Sequence, residues 1–296
     1  MFPKAPDHHK PNKPLVPNGL GVVYVIISAT YLFLLDFSKV VTFHAQSNVS
    51  PASTLAVCIL FGGFMGLLDD WMDLRWRYKA FLPILAALPL AALRQGTPTM
   101  STYFWGKINF SAYGMIGELI FYFGVIPLIV TIATNVVNQL GGLNGLETIC
   151  PSIVLLGLLL GSASGLQVLL YVPLLVFAAL AFFNFRGKLF VGNTGSFAIG
   201  ITIASYAIIA NVEQTLVISI LPYAANASII LLTFFFTRQK AGVSFDGEKL
   251  SSDHRRSLVT FITYRRPLTE KQVVAVISLL MAASTTLALL VEWLSR

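Results

Sequence analysis

A dense group of charged side chains lies in a short stretch between two apolar segments. Residues 69–79 read DDWMDLRWRYK. Adjacent carboxylates repel each other, which can raise the pKa of one of them toward that of a general base, and they can also recruit a divalent cation. If the stretch is helical, Asp69, Asp73 and Arg77 share one face, and Asp70 is turned about a hundred degrees away.

Two segments rich in Asn and Gly each follow an apolar run. Residues 134–147 read TNVVNQLGGLNGLE, and their glycines would let the backbone approach a ligand closely. Residues 184–196 read NFRGKLFVGNTGS and end in a turn that opens a helix. Free N–H groups and the positive dipole end of such a turn suit a phosphate, but Asn, Thr and Ser are also ordinary helix caps, so both interpretations stay open.

A basic loop at residues 237–271 is the longest polar segment, and it is too short to form a core of its own. Its polar residues include Arg238, Lys240, His254 and Arg255. The loop predicts either a surface for anionic lipid or a clamp on a diphosphate.

The chain that positions these motifs is apolar along almost its whole length. Of its 296 residues 56% are hydrophobic and 11% are charged, which indicates an integral membrane protein. Because an unpaired backbone is excluded from hydrocarbon and no barrel-like alternation is present, the spans must be helices. We predict an all-α polytopic membrane protein with a single domain, 1–296, and about nine transmembrane helices at 20–43, 52–68, 80–93, 116–134, 149–162, 166–184, 195–212, 215–236 and 272–294.

The distribution of basic residues predicts the orientation. With the N-terminus in the cytoplasm and the C-terminus outside, sixteen of the 20 Lys and Arg residues fall on inner loops. All four polar motifs then lie on the cytoplasmic face, which predicts one composite site there, and a small hairpin near 102–110 lies on the outer face. The net charge of +7 is explained by this orientation and by lipid head groups, so no nucleic-acid partner is expected.

The donor atoms of these motifs indicate the chemistry of the site. Oxygen ligands without a Cys or His cluster favour Mg²⁺, or Mn²⁺, over zinc. A site where water meets lipid suits transfer of a phosphoryl-linked group from a soluble donor to a lipid acceptor. The alternatives are a Mg-dependent intramembrane prenyltransferase, which would need a second Asp-rich motif, and a lipid-linked sugar transporter, for which internal repeats would be expected.

Residues 69–79, the following Leu82-Pro83 and 88–90 (LPL), and residues 138–147 together resemble the polyprenyl-phosphate N-acetylhexosamine-1-phosphate transferases. The resemblance covers residues 7–240 and is closest to the eukaryotic and archaeal branch that acts on dolichyl phosphate. It implies that the lipid phosphate attacks the β-phosphate of UDP-GlcNAc and releases UMP, as the first step of lipid-linked oligosaccharide assembly for N-glycosylation. The site would face the cytoplasm, from the plasma membrane in an archaeon or the endoplasmic reticulum in a eukaryote, and a homodimer stays open.

The resemblance also implies roles for individual residues. Asp69 is similar to the family's base for the lipid phosphate, with Asp70 beside it, and a covalent carboxylate mechanism stays open. Lys79 resembles a phosphate-contacting lysine and Asn138 a Mg²⁺ ligand. For the donor, the resemblance implies Asn144 as a uracil contact, Phe190 against the base, and Glu147, Arg238, Lys240, His254 and Arg255 as further binding residues.

Two departures from the family pattern stand out. The family's Gly-Asp-Thr turn carries a metal-binding Asp, and here that position is Asn193. An amide oxygen can still bind magnesium but one negative charge is lost, so we expect weaker metal binding and a slow enzyme. Relatives are also expected to carry one more span before the Pro-rich segment at 10–21 than this sequence shows.

Overall fold

Helices make up most of the chain in the computed structural model, which describes residues 2–40, 49–102 and 106–295. Three two-stranded antiparallel hairpins accompany them in these residues. The helices are α1 (Gly21–Phe37), α2 (Pro51–Met72), α3 (Trp76–Phe81), α4 (Pro83–Ala92), α5 (Gly114–Ile120), α6 (Ile126–Gln139), α7 (Leu146–Gly161), α8 (Ser164–Phe185), α9 (Gly192–Ala210), α10 (Glu213–Ser219), α11 (Leu221–Thr237), α12 (Leu258–Ile262) and α13 (Glu270–Ser295).

Five helical segments of the described chain are long and apolar enough to cross a membrane. They are α2, the continuous run Phe110–Gln139 that includes α5 and α6, α8, α9 and α13, and a sixth is formed if α10 and α11, which are bent by 56°, count as one span. The other three predicted spans correspond to the shorter helices α1, α4 and α7, with 17, 10 and 16 residues. The chain is therefore a mostly helical membrane protein, as the predicted all-α class requires of its spans, whereas nine crossings and the orientation of the termini stay predictions.

The helix α9 forms the centre of the bundle. Every residue from Thr194 to Ala210 is buried, and the neighbours include α1, α2 and α6. Small residues allow the close approach: a methyl group added to Gly66 of α2 would lie 2.5 Å from the Thr194 Cα. The fully buried Tyr24 of α1 donates a 2.7 Å hydrogen bond to Thr202 of α9. This packing places the end of α2 beside the beginning of α9.

The outer hairpin consists of β3 (Thr99–Thr102) and β4 (Gly106–Asn109), with Thr102 opposite Gly106. The predicted outer hairpin near 102–110 therefore has one strand before and one strand after residues 103–105, which lie outside the described residues.

A second hairpin, at the N-terminus, was not expected from the sequence. Its strands are β1 (Lys4–Pro6) and β2 (Leu15–Pro17), so part of the Pro-rich segment at 10–21 is a strand. The Phe190 amide donates to the Pro17 carbonyl and the Leu20 amide to the Phe190 carbonyl, which docks the hairpin on the segment between α8 and α9. The third hairpin, β5 (Ser244–Phe245) with β6 (Leu250–Ser251), lies in the basic loop before α12.

Candidate active site

A polar cleft of about 270 Å³ opens where α2 and α6 end and α7 and α9 begin. Four residues singled out in the sequence line it together: Asp70, Asn138, Glu147 and Asn193. The packing of α9 between α2 and α6 accounts for this convergence, because these residues come from the ends of four helices. The remaining lining residues are Asn18, Gln139, Gly141, Gly142, Gly192 and Ser196.

The carboxylate of Asp70 caps the first turn of α9. Its Oδ1 accepts from the Asn193 backbone N–H at 2.8 Å, and its Oδ2 accepts from the Thr194 N–H at 2.9 Å and the Thr194 hydroxyl at 2.7 Å. A negative side chain at a helix N-terminus satisfies free N–H groups and interacts favourably with the dipole. The phosphate-binding interpretation of this turn is therefore wrong for the N–H groups of Asn193 and Thr194, because a carboxylate of the chain already occupies them.

The carboxylate of Asp69 points to a different partner. The helix α2 ends where Asp73 adopts a left-handed backbone with φ of 46°, and the chain folds back into α3. The Lys79 Nζ then lies 2.8 Å from the Asp69 Oδ1 and 3.8 Å from the Asp73 Oδ1. Asp69 is buried, and its Oδ2 has no hydrogen-bond partner within the described chain.

This turn contradicts the predicted helical face of Asp69, Asp73 and Arg77. The helix stops between the first two residues, so Asp73 is fully exposed while Asp69 is buried. Asp69 and Lys79 form an ion pair adjoining the cleft, and neither is among the residues that line it.

The end of α6 is held by hydrogen bonds on two sides. The Asn138 Oδ1 accepts from the Ser196 hydroxyl of α9 at 2.5 Å, and the Asn135 amide donates to the Ala80 carbonyl of α3 at 3.0 Å. The amide oxygen of Asn138 is thereby fixed at the cleft wall, where it keeps a second lone pair for a ligand.

Glu147 is a half-buried acid in the first turn of α7, outside the apolar part of that helix. Burial raises the pKa of Glu147 to about 7, with a further increase from the negative charge of Asp70, while the Asn184 amide has the opposite effect. At neutral pH this carboxyl group is therefore partly protonated in the absence of a cation.

Asn184 was not singled out from the sequence, although it organises residues 140–145 between α6 and α7, called the Asn-Gly loop below. Its Oδ1 accepts from the Gly145 N–H at 2.7 Å and the Thr148 hydroxyl at 3.0 Å, and its Nδ2 donates to the Leu189 carbonyl at 2.8 Å. An Asn at the end of an apolar run is the only local signal for it, because its partners are remote in sequence.

A second recess continues from the cleft, with which it shares Asn18, Gly142, Glu147 and Gly192. Phe190, predicted from the sequence, lines it together with the N-terminal hairpin. The hairpin contributes Pro6, Asp7, His8 and His9, which sequence reasoning missed because their position depends on the docking of β2.

A third recess adjoins His9 and Gly142 and reaches the basic loop. The loop residues that line it are Ala241, Gly242, Val243, Ser257, Val259 and Thr260. The loop therefore faces this recess with small, apolar and hydroxyl residues instead of its basic ones.

The structure does not bring the predicted basic residues of this loop to the cleft. Arg238 and Lys240 are exposed just after α11. The Arg255 guanidinium lies over the Tyr264 ring at 4.3 Å, and His254 is next to Asp253, with His254 Nε2 4.0 Å from the carboxylate. The loop folds locally into a hairpin and a short helix, and within it Arg255 and His254 have neighbours of their own.

Asn144 lies behind the cleft wall instead of on its surface. It is 4% exposed, and its Nδ2 donates to Asp7 at 2.8 Å and to Glu270 at 3.0 Å. A direct nucleotide contact by Asn144 stays a prediction, because its Oδ1 is buried and has no partner among the described residues.

The fold and the cleft belong to a known class of membrane enzyme. Residues 52–211 match the model of glycosyl transferase family 4, and the chain is a member of this family. That segment includes all four helix termini at the cleft, namely the ends of α2 and α6 and the beginnings of α7 and α9. The family resemblance of residues 69–79 and 138–147 is therefore confirmed.

The chain is also similar to individual proteins whose names are more specific than that of the family. The chain is 32% identical to a provisionally named UDP-N-acetylglucosamine–dolichyl-phosphate N-acetylglucosaminephosphotransferase of Saccharolobus solfataricus, over 81% of this chain and 71% of the relative. It is 28% identical to the enzyme of that name in Dictyostelium discoideum, over 71% of this chain and 59% of the relative. A phospho-N-acetylmuramoyl-pentapeptide-transferase of Streptococcus agalactiae is 26% identical over 77% of this chain and 70% of the relative.

Proposed function

We propose that the chain transfers GlcNAc-1-phosphate from UDP-GlcNAc to dolichyl or another polyprenyl phosphate. An oxygen of the acceptor phosphate attacks the β-phosphorus, the bond from that phosphorus to the bridging oxygen breaks, and UMP leaves with the electron pair. The observation that carries the proposal is the polar cleft at the ends of apolar helices. The chain that forms it is 32% identical to the archaeal relative named as a UDP-N-acetylglucosamine–dolichyl-phosphate N-acetylglucosaminephosphotransferase.

We further propose that the reaction depends on Mg²⁺, with Mn²⁺ as a substitute. The side chains that line the cleft offer oxygen donors, which suit a hard divalent cation. Asn138 and Asn193 would hold the ion, and the Asp70 carboxylate faces the same cleft. A bound ion would neutralise the diphosphate and stabilise the charge that develops on departing UMP.

The chain's own residues divide the remaining tasks. We propose Asp69 as the base toward the acceptor phosphate, and Lys79, its ion-pair partner, as the cation that draws the lipid phosphate to the rim of the cleft. Phe190 would lie against the base of the nucleotide in the adjoining recess. Binding of the diphosphate by Arg238, Lys240, His254 and Arg255 would require the basic loop to move toward the cleft.

The cleft is proposed to face the cytoplasm, supported by the excess of Lys and Arg on the loops at its end of the helices. Product formation there would be the first step of lipid-linked oligosaccharide assembly for N-glycosylation.

The test combines purified protein with radiolabelled UDP-GlcNAc, dolichyl phosphate and Mg²⁺, and measures labelled lipid and UMP. We expect slow turnover that increases in Asn193→Asp, with tighter Mg²⁺ binding in a direct titration, because a carboxylate adds a negative charge to the ligand set. Asn193→Ala is the matched control and should bind the ion more weakly than the unmodified chain.

The outcomes separate the rival functions. A prenyltransferase or a transporter releases no UMP. If Asn193→Asp forms no labelled lipid, the proposed activity is wrong, and parallel incubation with a UDP-N-acetylmuramoyl-pentapeptide donor identifies the sugar.

A further inference from the structure

A buried hydrogen-bonded network joins three parts of the chain that are far apart in sequence. Its members are Asp7 in the N-terminal hairpin, Asn144 in the Asn-Gly loop and Glu270 in the first turn of α13, and these three are 2%, 4% and 6% exposed. Asp7 and Glu270 lie outside residues 52–211, the part that matches the family model. Asn144 belongs to the family motif at 138–147, so the network joins that motif to two residues outside the matched segment.

Glu270 is the central acceptor of this network. Its Oε1 accepts from the Asn144 backbone N–H at 2.8 Å and from the Asn144 Nδ2 at 3.0 Å. The Asp7 Oδ2 accepts from the same Nδ2 at 2.8 Å, and the Asp7 Oδ1 accepts from the His9 N–H at 3.2 Å. Both protons of the Asn144 amide are therefore directed at carboxylates, which fixes the orientation of the amide.

The charge of the network is partly balanced within the chain. The Lys10 Nζ lies 2.9 Å from the Glu270 Oε2, so the Lys10 ammonium group forms an ion pair with one of the two acids. Asp7, His9 and Glu270 also have ligand atoms close enough to share a metal ion. With Lys10 and two amide protons already directed at these carboxylates, the arrangement is better explained as an internal clamp.

The clamp acts on the loop that walls the cleft. Gly142 and Gly145 on either side of Asn144 have φ of 92° and 99°, a backbone that other residues adopt only with strain. A loop with such glycines is flexible unless other residues hold it. Here the Gly145 N–H donates to Asn184 and the Asn144 N–H donates to Glu270. Gly142 and Leu143 just before this second anchor line the recess that also contains Phe190.

We propose that Glu270, assisted by Asp7, is a positioning residue for nucleotide binding. It holds the Asn-Gly loop against the N-terminal hairpin, so that the two walls of the recess keep the spacing that a nucleoside diphosphate needs. The inference rests on the proposed function for the identity of the ligand. If Glu270 and Asp7 act in this way, the affinity for the donor depends on residues near both ends of the chain.

The experiment measures the dissociation constant for UDP by calorimetry, and KM and kcat for UDP-GlcNAc, in the unmodified chain and in variants. We expect Glu270→Ala to weaken UDP binding and to raise KM about tenfold, because it removes the acceptor for two buried donors, while kcat changes less than twofold. Asn144→Ala combined with Glu270→Ala should be no worse than the stronger single variant, since both break the same contact.

Two conservative variants separate the hydrogen bonds from the ion pair. Glu270→Gln keeps an acceptor for Asn144 and should retain UDP binding within threefold, and Lys10→Met, which removes only the ion pair, should do the same. Glu248 is an exposed carboxylate in the basic loop, so Glu248→Ala is the control and should leave UDP binding unchanged. If Glu270→Ala does not fold, UDP binding by Glu270→Gln and Lys10→Met still tests the proposal.

Specific outcomes would overturn the proposal. UDP affinity unchanged in Glu270→Ala while its melting temperature falls would reduce Glu270 to a stabilising contact. Loss of affinity in Lys10→Met equal to that in Glu270→Ala would assign the effect to the ion pair. An unmodified chain that binds UDP but forms neither lipid product nor UMP would instead contradict the proposed transferase activity.

Discussion

The Asp70 carboxylate lies 2.7 Å from the hydroxyl of Thr194 and 2.9 Å from its backbone nitrogen, so the last turn of α2 closes the first turn of α9. The acid that faces the cleft is thus also the cap of the central helix. We expect Asp70→Ala to lower the free energy of unfolding by about 1 kcal/mol, the usual cost of losing a helix cap, and to lose transferase activity.

Asp70→Asn separates the two roles of this residue. Its amide oxygen can still accept from the first turn of α9, so its melting temperature in detergent should lie between those of the unmodified chain and Asp70→Ala. Its activity should be as low as that of Asp70→Ala, because the charge toward the cation is lost. An active Asp70→Asn would show that the acid serves α9 alone.

The ion pair of Asp69 and Lys79 should appear as strong coupling in a double-mutant cycle. Lys79→Met leaves a buried carboxylate unpaired and should destabilise the fold by about 2 kcal/mol, less than in a fully buried pair because the Lys79 side chain is 26% exposed. The double variant with Asp69→Asn should recover most of this stability. Additive losses in denaturant titrations would mean that the 2.8 Å contact contributes nothing.

A methyl group at Gly66 should separate α2 from α9. It would stand 2.5 Å from the Thr194 Cα, and neither backbone can yield without displacing Asn193. We expect Gly66→Ala to destabilise the fold by about 2 kcal/mol and to weaken Mg²⁺ binding in a direct titration. Gly165→Ala in α8 is the control, because nothing lies within 4 Å of its added methyl group, and it should be neutral or slightly stabilising.

Glu147 should make stability depend on pH. Its pKa in the folded chain is about 7 instead of the ordinary 4.5, so between these values the folded state holds a proton that the unfolded state has released. Stability contributed by this group is therefore highest at low pH, falls as the pH rises through that window, and is level above it. The measurement is the melting temperature from pH 4.5 to 7 without divalent cations, comparing the unmodified chain with Glu147→Gln. A difference between them that is constant over this range would contradict the assignment.

Apolar runs and local motifs made much of the fold predictable. Each of the nine predicted spans contains a helix, because hydropathy is a property of consecutive residues. Asp70, Asn138, Glu147 and Asn193 could be assigned to one site because the charge rule places the ends of their helices on one face.

Contacts between distant residues were not predictable from local sequence. The Asp70 cap on α9 joins residues more than a hundred positions apart, and no pattern near Asn193 shows that its N–H is already bonded. Asp69 is buried and Asp73 is exposed because the left-handed backbone of Asp73 ends α2 between them. The positions of Arg238 and Lys240 depend on how the basic loop folds, which their charge does not indicate.

The burial of α9 has a consequence for how the protein is made. Of the five candidate spans α9 is the least apolar and the most completely buried within the protein. Such a helix gains less than the other candidate spans by leaving the translocon for lipid alone. We therefore expect its integration during synthesis to be assisted by α2, which precedes it and supplies the glycine-lined surface on which it packs. On this expectation the close contact at Gly66, which brings Asn193 to Asp70, would also be the surface that receives the incoming helix.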